Sequence, residues 1–272
     1  NRTTGGAVFR CRFATRLRML TNNREILGAC PARMDAPTSY ISPENFDVLT
    51  FVKGPETVLW GPGNSAGILR LDREPPPFEE TGIKGNASIL VASNNRFDEN
   101  ADLSLGSKDG YIRFTGNKSR SSDYKDGNGD RVPSKWNKWN TDVAVGWTPD
   151  KDTLLEITAG KGNGEARYAG RSMDGSQFKR ESLGMRFEKS NIGDVFDKFE
   201  ASAYYNYANH IMDNYSLRSP GTASGSMDMS SSMDMSGSSM DMDTPMAMQL
   251  DRRTAGRRTI GTCRWVAYPL AR

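Results

Sequence analysis

The sequence predicts a mainly β protein in two parts. A small mixed α/β unit occupies residues 1–80, and the first seven or eight antiparallel strands of a membrane β-barrel occupy residues 81–272. Three observations predict this. From Ile83 onward apolar and polar residues alternate with period two, the pattern of strands with one apolar face. The links between these runs are mostly short on one side and long and polar on the other, as in membrane barrels. No run approaches the ~20 apolar residues of a membrane helix, so any crossing of a bilayer must use strands.

Residues 1–80 hold short apolar runs, Val48-Leu49-Thr50-Phe51-Val52 and Ile68-Leu69-Arg70-Leu71, and end at Pro75-Pro76-Pro77. Consecutive prolines break regular structure and mark a boundary. The glycine-rich stretch from Lys53 to Gly67 does not have the spacing of a phosphate-binding loop, because its lysine precedes the glycines.

The period-two runs follow in order. Ile89 and Val91 share a face, as do Leu103 and Leu105; Ile112 and Phe114 oppose Arg113 and Thr115. Val143, Val145 and Trp147 oppose Asp142, Ala144 and Gly146, while Leu155 and Ile157 oppose Glu156 and Thr158. Leu183, Met185 and Phe187 oppose Ser182, Gly184 and Arg186. With Phe199–Met212 this makes seven strands, and an eighth is expected near Gln249. Tight turns are expected at 107–110, 148–152 and 191–194, and long loops at 123–137, 162–178 and 217–248; the short link at 93–97 is the exception. A soluble sandwich would alternate equally well. The loop asymmetry and the aromatics near strand ends (Trp136, Trp139, Trp147, Tyr205, Tyr207) favour the barrel.

Composition narrows the function classes. A net charge of +3, without basic clusters interleaved with aromatics, argues against a nucleic-acid partner. Cys11, Cys30 and Cys263 are too few for a disulfide framework, and a Cys11–Cys30 bridge stays open. With one histidine and no paired base for a serine or cysteine nucleophile, the chain is not expected to be an enzyme.

The chemistry concentrates on the stretch from Phe199 to Met212. One strand face carries Glu200, Ser202, Tyr204, Asn206, Ala208, His210 and Met212; the other carries Phe199, Ala201, Ala203, Tyr205 and Tyr207. The polar side therefore ends in the only histidine and a methionine two residues on. Beyond it, Met227, Met229, Met233, Met235, Met240, Met242, Met246 and Met248 form four Met-x-Met repeats holding eight of the chain's 13 methionines. Thioether, thiolate and imidazole are the donors that Cu(I) prefers. Cys30-x-x-x-Met34 adds two sulfurs one helical turn apart, if that segment is helical. The bland readings are a packing role for Met34, an ordinary hydrogen-bonded His210 and a disordered low-complexity methionine tract. The segment Asp126-x-Asn128-x-Asp130 lacks the glycine and glutamate of a calcium loop, so it reads as an exposed turn.

The glycine-rich segment Lys53-Gly54-Pro55 through Gly61-Pro62-Gly63-Asn64-Ser65-Ala66-Gly67 resembles the plug signature of TonB-dependent outer-membrane receptors. Gly28-Ala29-Cys30-Pro31-Ala32-Arg33-Met34-Asp35, Asp126–Asp130, Tyr168-Ala169-Gly170-Arg171 and the His210/Met212 stretch are similar to the copper-receptor branch. The resemblance runs from about Leu27 to Asp251. It implies a plug within a 22-stranded barrel in the Gram-negative outer membrane, surrounded by lipid. It also implies copper import driven by the TonB–ExbB–ExbD system, with Cys30, Met34, His210 and Met212 as a ligand set fed by the methionine tract. A ferric-siderophore receptor, or a non-transporting metal-binding β-protein, is the alternative. Barrels of this class need roughly 500 residues, so the chain is expected to be an incomplete copy lacking the TonB-contacting segment. Residues 10–26, rich in arginine, are expected to fit the plug poorly, and the alternation is lost after Asp251.

Overall fold

The structure, a computed structural model, describes residues 8–9, 12–13, 17–26, 28–29, 35–53, 67–193, 196–218, 251–253 and 257–269. A short hairpin, β1 (Val8–Phe9) with β2 (Arg12–Phe13), stands first. A four-stranded sheet follows, made of β3 (Leu17–Thr21), β4 (Arg24–Glu25), β5 (Val48–Val52) and β6 (Gly67–Asp72) in the spatial order β4-β3-β6-β5. β3 and β6 run parallel, and the other neighbours run antiparallel.

Residues 17–26 thus belong to this first sheet, contrary to the expectation from their arginines. Thr21-Asn22-Asn23-Arg24 turns tightly, with φ of 47° and 61° at the two asparagines. Asparagine tolerates that left-handed region, which suits a two-residue hairpin. Met19, Leu20 and Ile26 are buried, and Met19 and Ile26 pack with Ile41 and Leu71. Arg18 pairs with Glu25 at 2.8 Å, while Arg24 is buried and points toward the large sheet. Among the described residues of this unit there is no α-helix, only 3-10 turns at Pro37–Ser39 and Pro43–Asn45. Proline suits the first position of such a turn, where its missing N–H costs nothing.

The large sheet contains β7 (Gly82–Ala92), β8 (Arg96–Ser107) and β9 (Gly110–Ser121), then a small hairpin, β10 (Tyr124–Lys125) with β11 (Arg131–Val132). It continues with β12 (Trp136–Asp150), β13 (Thr153–Ala166), β14 (Asp174–Ser190) and β15 (Phe196–Asp213). Sequential strands pair antiparallel from β7 to β15, with β12 beside β9. The eighth position is shared by β16 (Asp251–Arg253) and β17 (Arg257–Pro269), which both pair with the far edge of β15. Among the described residues the sheet does not close. Pairing continues to Pro269 although the sequence loses its alternation there, because a ladder is made by backbone groups. The link expected over 162–178 spans only 167–173, since β13 runs to Ala166 and β14 starts at Asp174.

Register explains what each face does. Leu105, Ile112, Val145, Ile157, Met185 and Ala203 stand opposite one another across six strands. Leu103, Phe114, Val143, Ala159, Leu183 and Tyr205 make the neighbouring row. These rows face outward, with Ile112, Val145, Ile157 and Leu183 about half exposed. The opposite face carries Asp102, Thr115, Asp142, Gly160, Ser182 and Asn206 in register, and Thr115 and Asp142 are buried. Apolar side chains outside and buried polar ones inside reverse the order of a soluble sandwich, and match a barrel with lipid outside and a polar interior. Among the described residues no helix is long and apolar enough to cross a membrane, which says nothing of strands.

The first sheet lies against this polar face and is held by polar contacts. Arg73 donates to Asp142 at 3.0 Å, and Arg180 donates to the same carboxylate at 2.7 Å. Arg113 donates to Asp47 at 2.7 and 2.8 Å and also pairs with Asp102. Lys138 reaches the carbonyls of Thr38 and Ile41, and Arg24 reaches the Thr158 hydroxyl. The large sheet is therefore a wall filled on its inner side by the N-terminal unit.

Candidate metal-binding site

β15 carries the candidate site at its end. Its even-numbered residues point to the inner side, and Ala208, His210 and Met212 are all buried there. His210 lies opposite Phe178 and Met212 opposite Gly175 on β14. The Phe178 ring stacks on the His210 imidazole, with centroids 4.6 Å apart and planes inclined by 27°. Tyr40 meets the other aromatic edge-on, its ring 6.0 Å from that of Phe178. Ala29, Tyr40, Ala166, Tyr168, Phe178, Ala208 and Met212 form one buried apolar cluster. Ala29 and Tyr40 come from the N-terminal unit and the rest from the wall, so the two parts of the chain meet at this point.

The segment that enters the cluster is closed by Asp35. Its carboxylate accepts the Ala29 N–H at 2.7 Å and the Tyr40 hydroxyl. Gly28 passes so close that a Cβ there would lie 2.7 Å from the Asp35 carbonyl oxygen, a distance only glycine permits. Residues 29 and 35 are thereby held together, with Cys30 and Met34 as their covalent neighbours.

Two further networks hold the end of β15. Asp213 accepts from the Ser176 hydroxyl at 2.7 Å and from the Ser216 N–H at 2.7 Å and hydroxyl at 2.8 Å. Asp174, wholly buried, accepts the Tyr168 N–H at 2.9 Å and pairs with Arg218, which also donates to the Tyr168 carbonyl at 2.8 Å. Asp251 pairs in register with Asp213. Arg218 therefore sits on Asp174, which pairs with Asp213, and Asp251 pairs with Asp213 from the other side.

Of the expected ligands, the structure brings His210 and Met212 to one inward position. Cys30, Met34 and the tract Met227, Met229, Met233, Met235, Met240, Met242, Met246 and Met248 lie outside the described residues, as does the open Cys11–Cys30 pairing. Among the described residues no group of three or more His, Cys, Asp or Glu side chains is placed to hold a metal. The cluster offers imidazole and thioether in apolar surroundings, which suits a soft, weakly hydrated ion and not a hard one. Sequence reasoning missed Phe178, Asp35 and Tyr40. Phe178 was hidden because it fell in the loop expected over 162–178, and because a bulge shifts its face; Asp35 and Tyr40 are ordinary polar residues until the chain folds back.

Comparison with known proteins gives the same direction. No protein-family model matches the chain, and no curated protein is significantly similar to it. Among solved structures it is similar to the copper transporter OprC, with 64% identity over 80% of this chain and 34% of that one, at a TM-score of 0.77. It also resembles the ferric citrate transporter FecA in its unliganded form, with 16% identity over 74% of this chain and 32% of that one, at a TM-score of 0.57. The FrpB iron transporter of Neisseria meningitidis (F5-1 variant) aligns with 15% identity over 74% of this chain and 36% of that one, at a TM-score of 0.56. The last two share the fold. The chain spans about a third of the length of each of these structures.

Proposed function

We propose, from the premise that this chain belongs to the TonB-dependent outer-membrane receptors, that it is the plug-and-first-strands part of a receptor that takes up copper at the cell surface. The chain is not an enzyme; the structures it resembles are transporters. Residues 1–80 act as part of the plug and residues 81–272 as part of the barrel wall in the Gram-negative outer membrane.

One observation carries the reading. Ala29 of the N-terminal unit and Met212 of the wall share one buried cluster, so the segments bearing Cys-x-x-x-Met and His-x-Met converge. Cys30 then supplies the thiolate, Met34 and Met212 the thioethers and His210 the imidazole for Cu(I). A monovalent ion held by one thiolate and three neutral donors adds no net buried charge, so a largely apolar shell tolerates it. The tract from Met227 to Met248 captures copper outside: its many weak thioether sites share one tether that follows the end of β15, which raises the local copper concentration. Import would draw on the TonB–ExbB–ExbD system through a segment other than those described.

The test is a copper titration of the detergent-solubilised protein, against Cys30→Ala with His210→Ala and against a panel of ferric siderophores. Loss of tight copper binding in the double variant, with no siderophore competition, is expected. Unchanged copper affinity in the double variant, or a ferric siderophore that displaces the bound copper, overturns the reading.

A further inference from the structure

We propose that Lys118, Arg120, Lys161 and Lys179, on the outward side of the wall at its long-loop end, hold the phosphate of an anionic lipid headgroup. The inference rests on the membrane-barrel reading of the wall and not on copper.

Parity places the four cations. Side chains alternate faces along a strand, so Lys118 and Arg120 share the outward face of β9 with Phe114. Lys161 shares that of β13 with Ala159, and Lys179 that of β14 with Leu183. All four lie past the apolar rows, toward the long loops. Lys118 stands opposite Trp139; Lys161 stands opposite Glu181, which stands opposite Tyr207. Tryptophan and tyrosine at the edge of an apolar band mark a membrane–water interface. Lysine and arginine suit that level because their stems cover apolar surface while their charged ends reach the headgroups. The Lys161 and Lys179 side chains keep 63% and 39% of their surface exposed, and Lys118, Arg120 and Trp139 are exposed beside them.

The positive charge there exceeds its partners. Glu181 lies 3.0 Å from Lys179 and 3.8 Å from Lys161, so one carboxylate serves two ammonium groups. Among the described residues no carboxylate pairs with Lys118 or Arg120. Glu99 stands opposite Lys118 in register without bridging it, and the Arg120 guanidinium lies 5.5 Å from the Phe97 ring. At the short-turn end of the same outward face the arrangement differs: Lys189 is matched one to one by Asp150 at 3.2 Å. A phosphate supplies the missing anion. Lysine meets it as a point charge, and arginine meets two of its oxygens with a planar fork. Lys118 and Arg120 are two residues apart on one face, about 7 Å, so both side chains reach a single headgroup.

The test titrates the full chain in detergent with phosphatidic acid, phosphatidylcholine and inorganic phosphate, and counts bound molecules by native mass spectrometry. Wild type is compared with Lys118→Gln/Arg120→Gln and with Lys161→Gln/Lys179→Gln. A control, Lys108→Gln/Lys151→Gln, removes the same charge from the exposed short turns. Wild type is expected to prefer phosphatidic acid to phosphatidylcholine, and added salt to weaken the preference. Each cation lost from the patch is expected to lower phosphatidic acid affinity about 5-fold, and each patch pair about 25-fold; the turn pair should match wild type. Equal affinity for the two lipids, or an equal fall in patch and turn pairs, overturns the assignment and leaves the barrel reading standing. Inorganic phosphate bound as tightly as phosphatidic acid also overturns it, because the occupant is then a soluble anion. If the wild-type chain retains neither lipid, the barrel reading falls as well.

Discussion

The carboxylate of Asp35 ties Ala29 to Tyr40 on either side of the sequence stretch that holds Cys30 and Met34, and Asp35→Ala removes the tie. In the folded protein it accepts the Ala29 N–H at 2.7 Å and the Tyr40 hydroxyl, and Ala29, Asp35 and Tyr40 are all buried. Alanine leaves both donors facing an apolar cluster without that acceptor. Hydrogen bonds to charged groups contribute about 1.5–3 kcal/mol each, so two amount to ~3–6 kcal/mol as an upper range. That energy is charged against the closed segment, and a site whose competent state is depopulated binds more weakly in the same proportion. Copper affinity should fall by about 10²–10⁴-fold, less where water replaces the carboxylate. Asp35→Asn keeps an acceptor and should lie between wild type and alanine. The assay is competitive Cu(I) titration alongside amide hydrogen exchange at Ala29. Faster exchange at Ala29 with unchanged copper affinity would refute the argument, because closure of residues 28–35 would then be irrelevant to the ion.

Other consequences are equally specific. Gly28→Val should mimic Asp35→Ala in the same titration, since a side chain there collides with the Asp35 backbone. Asp142→Ala leaves Arg73 and Arg180, both nearly buried, without their shared carboxylate; a loss of about 3–5 kcal/mol is expected, read as a lower thermal unfolding midpoint in detergent. Arg218→Ala strands the buried Asp174 and should speed amide exchange at Tyr168 while leaving the outward rows of the wall unchanged. Acid should loosen the N-terminal unit through Asp47. Burial pushes this carboxyl up, but hydrogen bonds from Arg113 and the Glu74 amide outweigh it and hold it below its ordinary 3.8. A lowered folded value means stability present above pH 3.8 and lost as the pH falls through that lower value. Asp47→Asn should flatten the acid limb of a melting-temperature profile, and an unchanged limb would assign it to other carboxylates.

Much of the molecule was legible in one dimension because strand faces repeat every two residues. Ile112, Phe114, Val145, Ile157 and Leu183 declare an apolar face wherever their strands sit, and His210 and Met212 share the other face by parity alone. The short links between successive runs likewise announced the tight turns. The hairpin at Asn22-Asn23 was not foreseen, because the surrounding arginines drew the reading of residues 10–26 away from the first sheet.

What the sequence by itself determined, then, is the set of faces: which side chains look outward, which look inward, and that sulfur and imidazole donors end on the inward side. Only the tertiary structure decided which inward groups meet. Parity cannot see the extra residue at Ser176 that turns Phe178 onto His210, and spacing cannot see Asp35 folding back on Ala29. Nor does it disclose that Ala29 packs in one cluster with Met212, far along the chain. Periodicity is a local property of the backbone, whereas contact between distant segments depends on the register of every strand between them.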